Sequence, residues 1–215
     1  HAAQRPSAPA MREKEYGIWQ TISWQDMATM VANMACGLHQ AGLKRGEHMV
    51  VVGSNRPRLY ATMLAAQSLG AIPIPLYQDA VAAECVFPMT NAEVRLCVVE
   101  DQEQVDKMLE VRETYTALER IIYDNPRGLR KYDEPGLGSL DELLAAGEAY
   151  AKQHPHFYKE QVALGSKEDV AAMFFTSGTT GNPKGVVHTH GTLIDRAQAG
   201  AEFDHLTSDE DVLAY

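Results

Sequence analysis

The stretch Val170-Ala171-Ala172-Met173-Phe174-Phe175, followed by Thr176-Ser177-Gly178-Thr179-Thr180-Gly181-Asn182-Pro183-Lys184-Gly185, carries the densest information in the chain. Its first six residues form an apolar run of strand length and β-type composition, so a strand is predicted to lead directly into the turn. Gly178, Gly181 and Gly185 have no Cβ, which lets the backbone take positive φ and approach a ligand closely. The hydroxyls of Thr176, Ser177, Thr179 and Thr180 place short donors between those glycines, and Lys184 adds a compact positive charge on a long stem. Backbone N–H groups in a Gly-rich turn form an anion-binding concavity, so the combination reads as a phosphate cradle.

Three familiar cradles are excluded. The P-loop pattern G-x-x-x-x-G-K-[ST] fails because Pro183 stands five positions after Gly178, and Lys184 is followed by Gly185 with no hydroxyl beside it to bind Mg²⁺. The dinucleotide fingerprint G-x-G-x-x-G fails because its first glycine is missing before Gly178 and Gly181. A kinase would need a separate strand lysine and an Asp-bearing catalytic loop, which the chain does not show. An ordinary Ser/Gly turn between two strands would need neither Pro183 nor Lys184 at fixed offsets.

All ten positions from Thr176 to Gly185 fit the phosphate-binding signature of the adenylate-forming (AMP-binding) superfamily, which this chain resembles. Within that superfamily the chain is most similar to acyl-CoA synthetases. The segment from Lys131 through Tyr150 resembles the connection found in long-chain fatty acid–CoA ligases. The resemblance implies an ATP- and Mg²⁺-dependent activation of a carboxylic acid, a fatty acid by preference, to acyl-AMP, with CoA as the co-substrate that then takes the acyl group. It assigns Thr176, Ser177, Gly178, Thr179, Thr180, Gly181 and Lys184 to the nucleotide phosphates, with Lys184 as the catalytic charge stabiliser. It also puts His190, the histidine of the Thr189-His190 pair, near the nucleotide or acyl pocket, although Thr192 stands where the family often has Asn.

The same resemblance makes residues 1–215 an incomplete N-terminal adenylation domain. Residues 1–165 would be an α/β subdomain, and 166–215 the start of the segment that carries the loop. The adenine- and Mg²⁺-binding segment, the ribose-binding aspartate and the principal catalytic lysine would follow residue 215, so no metal ligand is assigned in this chain and the missing C-terminal half of the enzyme is its expected partner. Two other readings stay open. An aryl-CoA synthetase, a luciferase-like enzyme or a peptide-synthetase adenylation domain shares the cradle, and a non-catalytic ATP-binding module could have kept it.

Composition narrows the class further. A formal net charge of −10 argues against a nucleic-acid surface and against a polybasic lipid-binding face. It leaves local phosphate recognition untouched. Cys36, Cys85 and Cys97 sit among apolar neighbours and form no C-x-x-C pair, which suits reduced, buried thiols and a cytoplasmic location, with peripheral contact at a membrane surface left open. Neither a zinc-type His/Cys spacing nor an apolar run of spanning length occurs. The opening His1-Ala-Ala-Gln-Arg-Pro has no start Met and no apolar leader, and reads as a sequence trimmed at its front.

Along the rest of the chain, short apolar runs alternate with helical patterns. Residues 1–17 read as an extended lead-in, and Trp19–Trp24 as a short strand. Ser23 with Asp26 opens a helix whose apolar stripe ends near Gly42. Strands are predicted over Met49–Val52, Ile72–Leu76, Val94–Val99 and Arg120–Tyr123, with Pro73 and Pro75 placing the second at a sheet edge. Helices are predicted over Leu59–Leu69, Val81–Asn91 with a break or kink at Pro88, and Gln102–Thr114 capped by Asp101. Asn125–Gly138 reads as a surface loop, and Ser139 with Glu142 as a capping box for a helix to about Gln153. Past the cradle come strand, turn and helix to Phe203, then a further strand at Asp211–Tyr215. This alternation predicts an α/β fold with a layered, mostly parallel sheet and helices on its faces.

Overall fold

The computed structural model describes residues 1–176, 182–208 and 210–214. The chain begins with a hairpin of β1 (Pro9–Glu15) and β2 (Ile18–Ser23). Alternating elements follow: α1 (Trp24–Gln40), β3 (His48–Val52), α2 (Pro57–Ser68), β4 (Ile72–Leu76), α3 (Ala82–Asn91), β5 (Leu96–Val99), α4 (Gln102–Thr114), β6 (Arg120–Tyr123) and β7 (Leu137–Ser139). Helices α5 (Leu140–Gln153) and α6 (Phe157–Ala163) lead to a second hairpin, β8 (Val170–Thr176) and β9 (Lys184–Thr189), and to α7 (His190–Phe203).

Strands β3 to β7 form one parallel sheet in the order β4-β3-β5-β6-β7. Its strands are short and apolar because both faces are covered. Met49 and Val51 of β3, Leu96 and Val98 of β5 and Ile122 of β6 join a core with Met34 and Leu38 of α1, Leu59 of α2 and Leu140 of α5. The alternate residues Val50, Val52, Cys97, Val99 and Ile121 join a second core with Met89 of α3 and Met108 of α4. Period-two alternation thus feeds two separate cores from one strand. Each fully buried Val or Leu contributes about 1.5–3 kcal/mol by leaving water. Cys36, Cys85 and Cys97 are free and buried, and burial pushes the Cys97 thiol far above its ordinary value.

Edge strand β4 shows why its prolines are tolerated. The Ile72 N–H donates to the Glu47 carbonyl at 2.8 Å, so alternate positions Pro73 and Pro75 turn their missing donors away from β3. Three helix starts follow their sequence signals. Asp26 N–H donates to Ser23 Oγ at 3.1 Å, Glu142 N–H to Ser139 Oγ at 3.1 Å, and Gln104 N–H to Asp101 Oδ1 at 3.3 Å.

Four expectations are corrected. The lead-in is not merely extended: Pro9–Glu15 pairs antiparallel with β2. Pro88 does not break α3, which continues to Asn91 although the proline has no N–H to give to the Glu84 carbonyl one turn before it. The presumed loop after Asn125 contains the fifth parallel strand, β7, only three residues long and so without a readable period. The described residues 210–214 carry no regular structure, although Arg12 Nη2 meets Asp211 Oδ2 at 2.5 Å.

Candidate functional site

Strands β8 and β9 run antiparallel, with Phe175 opposite Gly185 and Thr176 opposite Lys184. Residues directly opposite in such a ladder share a face, so Thr176 and Lys184 project from the same side of the hairpin where its strands open into the turn. Both residues are exposed. A neutral donor and a full positive charge therefore flank the mouth of the loop. The remaining expected phosphate ligands, Ser177, Gly178, Thr179, Thr180 and Gly181, lie outside the described residues.

Gly185 has a packing reason to lack a side chain. A Cβ there would stand 3.0 Å from Met173 Sδ and 3.4 Å from Phe175 Cζ. Met173 and Phe175 in turn pack against the second core, so the hairpin is anchored on the parallel sheet by its strand residues.

His190 sits elsewhere. It is the first residue of α7, and β9 separates it from Lys184 by six residue steps, roughly 20 Å of extended chain. The described structure therefore does not bring His190 and Lys184 together. The His190 N–H donates to the Asp169 carbonyl at 3.0 Å, and its side chain lines an apolar groove of about 570 Å³ with Trp24, Met27, Tyr158 and Ile194. Thr189 caps α7 through the Thr192 N–H at 3.2 Å, and the two hydroxyls lie 2.8 Å apart. Thr192 thus has a structural task at the position where the sequence departs from the family pattern. Two hydrogen bonds from Ser166, its backbone N–H first, hold the Asp169 carboxyl below its ordinary value.

A second polar group stands at the carboxyl ends of β3, β5 and β6, and sequence reasoning passed over it. Glu100, directly after β5, accepts from Ser54 N–H at 2.6 Å and from Arg56 Nε at 3.1 Å. Arg56 also reaches Glu13 at 3.4 Å. Arg58 lies 3.0 Å from Asp124, which follows β6, and 2.6 Å from Asp141. Burial raises the Glu100 carboxyl, but hydrogen bonds from Ser54 and Arg56 outweigh it and hold the group below its ordinary value. Asp124 moves the opposite way, raised chiefly by burial despite Arg58. The available signal was a polar residue directly after each apolar run: Gly53-Ser54 after Val52, Glu100 after Val99 and Asp124 after Tyr123. Strand order decides that these residues meet. The order places β3 and β5 side by side, with β4 and its helix connection to one side. Among the described residues, no group of three or more His, Cys, Asp or Glu side chains could hold a metal ion.

The whole chain, residues 1–215, matches the family described as AMP-binding enzyme. It is 27% identical over 197 residues to fatty acyl-CoA synthetase A of Dictyostelium discoideum, covering 87% of this chain and 27% of that protein. It is 26% identical over 209 residues to long-chain-fatty-acid–CoA ligase ACSBG2 of Homo sapiens, covering 96% of this chain and 30% of that one. The chain therefore spans between a quarter and a third of the length of these relatives. Its fold is that of VinN, with a TM-score of 0.70 at 22% identity over 97% of this chain and 48% of the other. The inhibitor-bound N-terminal domain of FACL13 from Mycobacterium tuberculosis gives 0.69 at 20% identity, over 94% of this chain and 45% of that chain.

Proposed function

The chain belongs to the AMP-binding enzyme family, and we propose that the protein carrying it is an acyl-CoA synthetase acting on a fatty acid. In the first step a carboxylate oxygen attacks the α-phosphorus of ATP. A new P–O bond forms, the bond to the β-phosphate oxygen breaks, and pyrophosphate leaves with acyl-AMP remaining. In the second step the CoA thiol, losing its proton, attacks the acyl carbon and AMP departs with its oxygen. A cytoplasmic location belongs to the same proposal, as does assignment of residues 1–215 to the first part of the adenylation domain.

The observation that carries this reading is the β8–β9 hairpin. It sets Thr176 and Lys184 opposite each other at the ends of a turn that matches the ten-residue phosphate signature. Negative charge grows on the departing pyrophosphate as the α-phosphorus is attacked. A cation at the loop mouth would stabilise that charge more in the transition state than in bound ATP, and phosphates held by the loop residues would keep attack in line. Ser177, Thr179 and Thr180 would donate hydroxyls, and Gly178 and Gly181 backbone N–H groups, to the same oxygens. Magnesium would come with the ATP phosphates, and its protein ligands are expected in the segment that follows residue 215. The fatty-acid preference rests on the relatives described as fatty acyl-CoA synthetases and ligases.

Pyrophosphate exchange with a panel of acids, run on the full-length protein, tests the proposal. Long-chain fatty acids should support exchange, and Lys184→Ala should lower it by about 10²–10³-fold, as for loss of one transition-state charge contact. Undiminished exchange in Lys184→Ala would remove the loop from the chemistry, and exchange with aryl or amino acids alone would remove the fatty acid.

A further inference from the structure

Strand β8 carries an irregularity shortly before the phosphate loop. Val170 stands opposite Thr189 and Ala172 opposite His188, so β8 has two residues where β9 has one, and Ala171 is the extra residue. Such a bulge leaves its extra residue outside the ladder. Ala171 is fully buried, so its carbonyl needs a partner other than bulk water. The partner is a side chain: Gln67 Nε2 of α2 donates to the Ala171 oxygen at 2.9 Å. Only the NH2 end of a side-chain amide can donate to a carbonyl, which fixes how Gln67 is turned.

The need for that bond lies in β4. Cα atoms of β4 and β8 come within 8 Å of one another, yet β8 pairs with β9 alone and stays outside the five-stranded sheet. Met173 and Phe175 of β8 pack against the second core, while Gln67 reaches Ala171 from α2, a helix of the first core. Touching elements of both faces, β8 stands at the free edge of β4. That edge lacks donors at Pro73 and Pro75, whose nitrogens turn away from β3. A full ladder therefore cannot lock β8 in register against β4. Ala171 and Ala172 are both buried, so this seam does not depend on what covers the outer face of β9.

Gln67 supplies what the edge lacks. It rises from the last turn of α2, which is closed by the Ala71 N–H donating to the Ala66 carbonyl at 2.9 Å. Its amide is thus carried by a rigid element. From Ala172 the β8–β9 ladder runs without a further shift to Thr176 opposite Lys184. Fixing Ala171 along β4 fixes how far those two residues stand beyond the sheet, roughly 17 Å of extended chain away. We propose that Gln67 is a positioning residue for the phosphate loop, an assignment that rests on the phosphate role proposed above. Its amide takes the place of the missing ladder and sets the height at which Thr176 and Lys184 meet the nucleotide.

The test uses the full-length protein and two variants. Gln67→Met keeps the length and helix propensity of the side chain but cannot donate, and Gln67→Lys restores a donor of similar reach. In pyrophosphate exchange, Gln67→Met should lower kcat by about 10- to 100-fold, the scale for a small misplacement of reacting groups, with the KM of the acid unchanged. Gln67→Lys should recover most of that loss. Hydrogen–deuterium exchange should show β8 and β9 taking up deuterium about three- to tenfold faster in Gln67→Met, the scale of one lost hydrogen bond, with β3 and β5 unchanged. A bond that merely satisfied a carbonyl would lower the melting temperature of Gln67→Met and leave kcat at the parent's value, which overturns the inference. A raised KM for the acid at unchanged kcat would place Gln67 in the groove it lines with His190, and overturns it too. So does a Gln67→Lys variant as slow as Gln67→Met, since shape rather than donation would then matter. If the parent exchanges pyrophosphate with no fatty acid, the proposed function falls and deuterium uptake still decides. Faster uptake confined to β8 and β9 would uphold Gln67 as the residue that sets the hairpin, and unchanged uptake would overturn it.

Discussion

His48 shows how a single residue can escape a sequence reading. It begins β3 and faces the Ala92 backbone and Glu93 at the amino edge of the sheet. Burial holds its imidazole below the ordinary 6.5, although the bond involving Ala92 and the charge of Glu93 pull the other way. A depressed folded value means that protonation favours the unfolded chain, so this contribution is intact above about 6.5 and is lost as pH falls through the lower folded value. The melting temperature should therefore decline on acidification from neutral pH before the carboxylates titrate. His48→Gln should flatten that first decline, which a pH series of melts would read directly. The loop residues Thr176 and Lys184 were legible as a chemical set because their spacing from Gly178 and Pro183 is fixed along the chain. Glu100 and Asp124 were not, since their meeting with Arg56 and Arg58 depends on which strands are neighbours.

At the scale of elements, the close crossing of α1 and α5 carries the sharpest expectation. A Cβ on Gly147 would lie 1.9 Å from the Asn33 carbonyl oxygen, and one on Gly37 would lie 2.3 Å from the Leu143 carbonyl oxygen. Both obstacles are helix backbone, which cannot rotate aside as a side-chain end can. Although alanine is the better helix former, Gly147→Ala should force the helices apart and destabilise the domain by about 1–3 kcal/mol. Urea unfolding of the variant would check this, and unchanged stability would show that the crossing is looser than described. Helices were the most readable elements because their caps are local: Ser23, Asp101 and Ser139 each bond a backbone N–H within three residues. Strand β7 and helix α6 were missed for the converse reason. Three residues and seven residues are too few to show a period, and β7 exists only because β6 offers it a ladder.

For the molecule as a whole, the parallel sheet with both faces covered predicts that residues 1–215 fold cooperatively when produced alone. A single sigmoidal thermal transition would verify this. The same chain, at 27–30% of the length of the relatives named above, is expected to form no measurable acyl-CoA, and turnover by it alone would contradict the assignment of the remaining machinery to other residues. What the sequence by itself determined is whatever is encoded within a few residues: the α/β alternation, the capped helix starts, the edge placement of the proline-bearing strand and the ten-residue phosphate signature. Only the tertiary structure decided which strands are neighbours, that Lys184 stands opposite Thr176 while His190 lies at the far end of β9, and that Gln67 of α2 meets the bulge in β8. The physical reason is range. Backbone propensity, capping and turn chemistry act between near neighbours in the chain. Strand order, the pairing of buried charges and the meeting of a helix side chain with a strand carbonyl are set by how the whole chain buries its apolar surface.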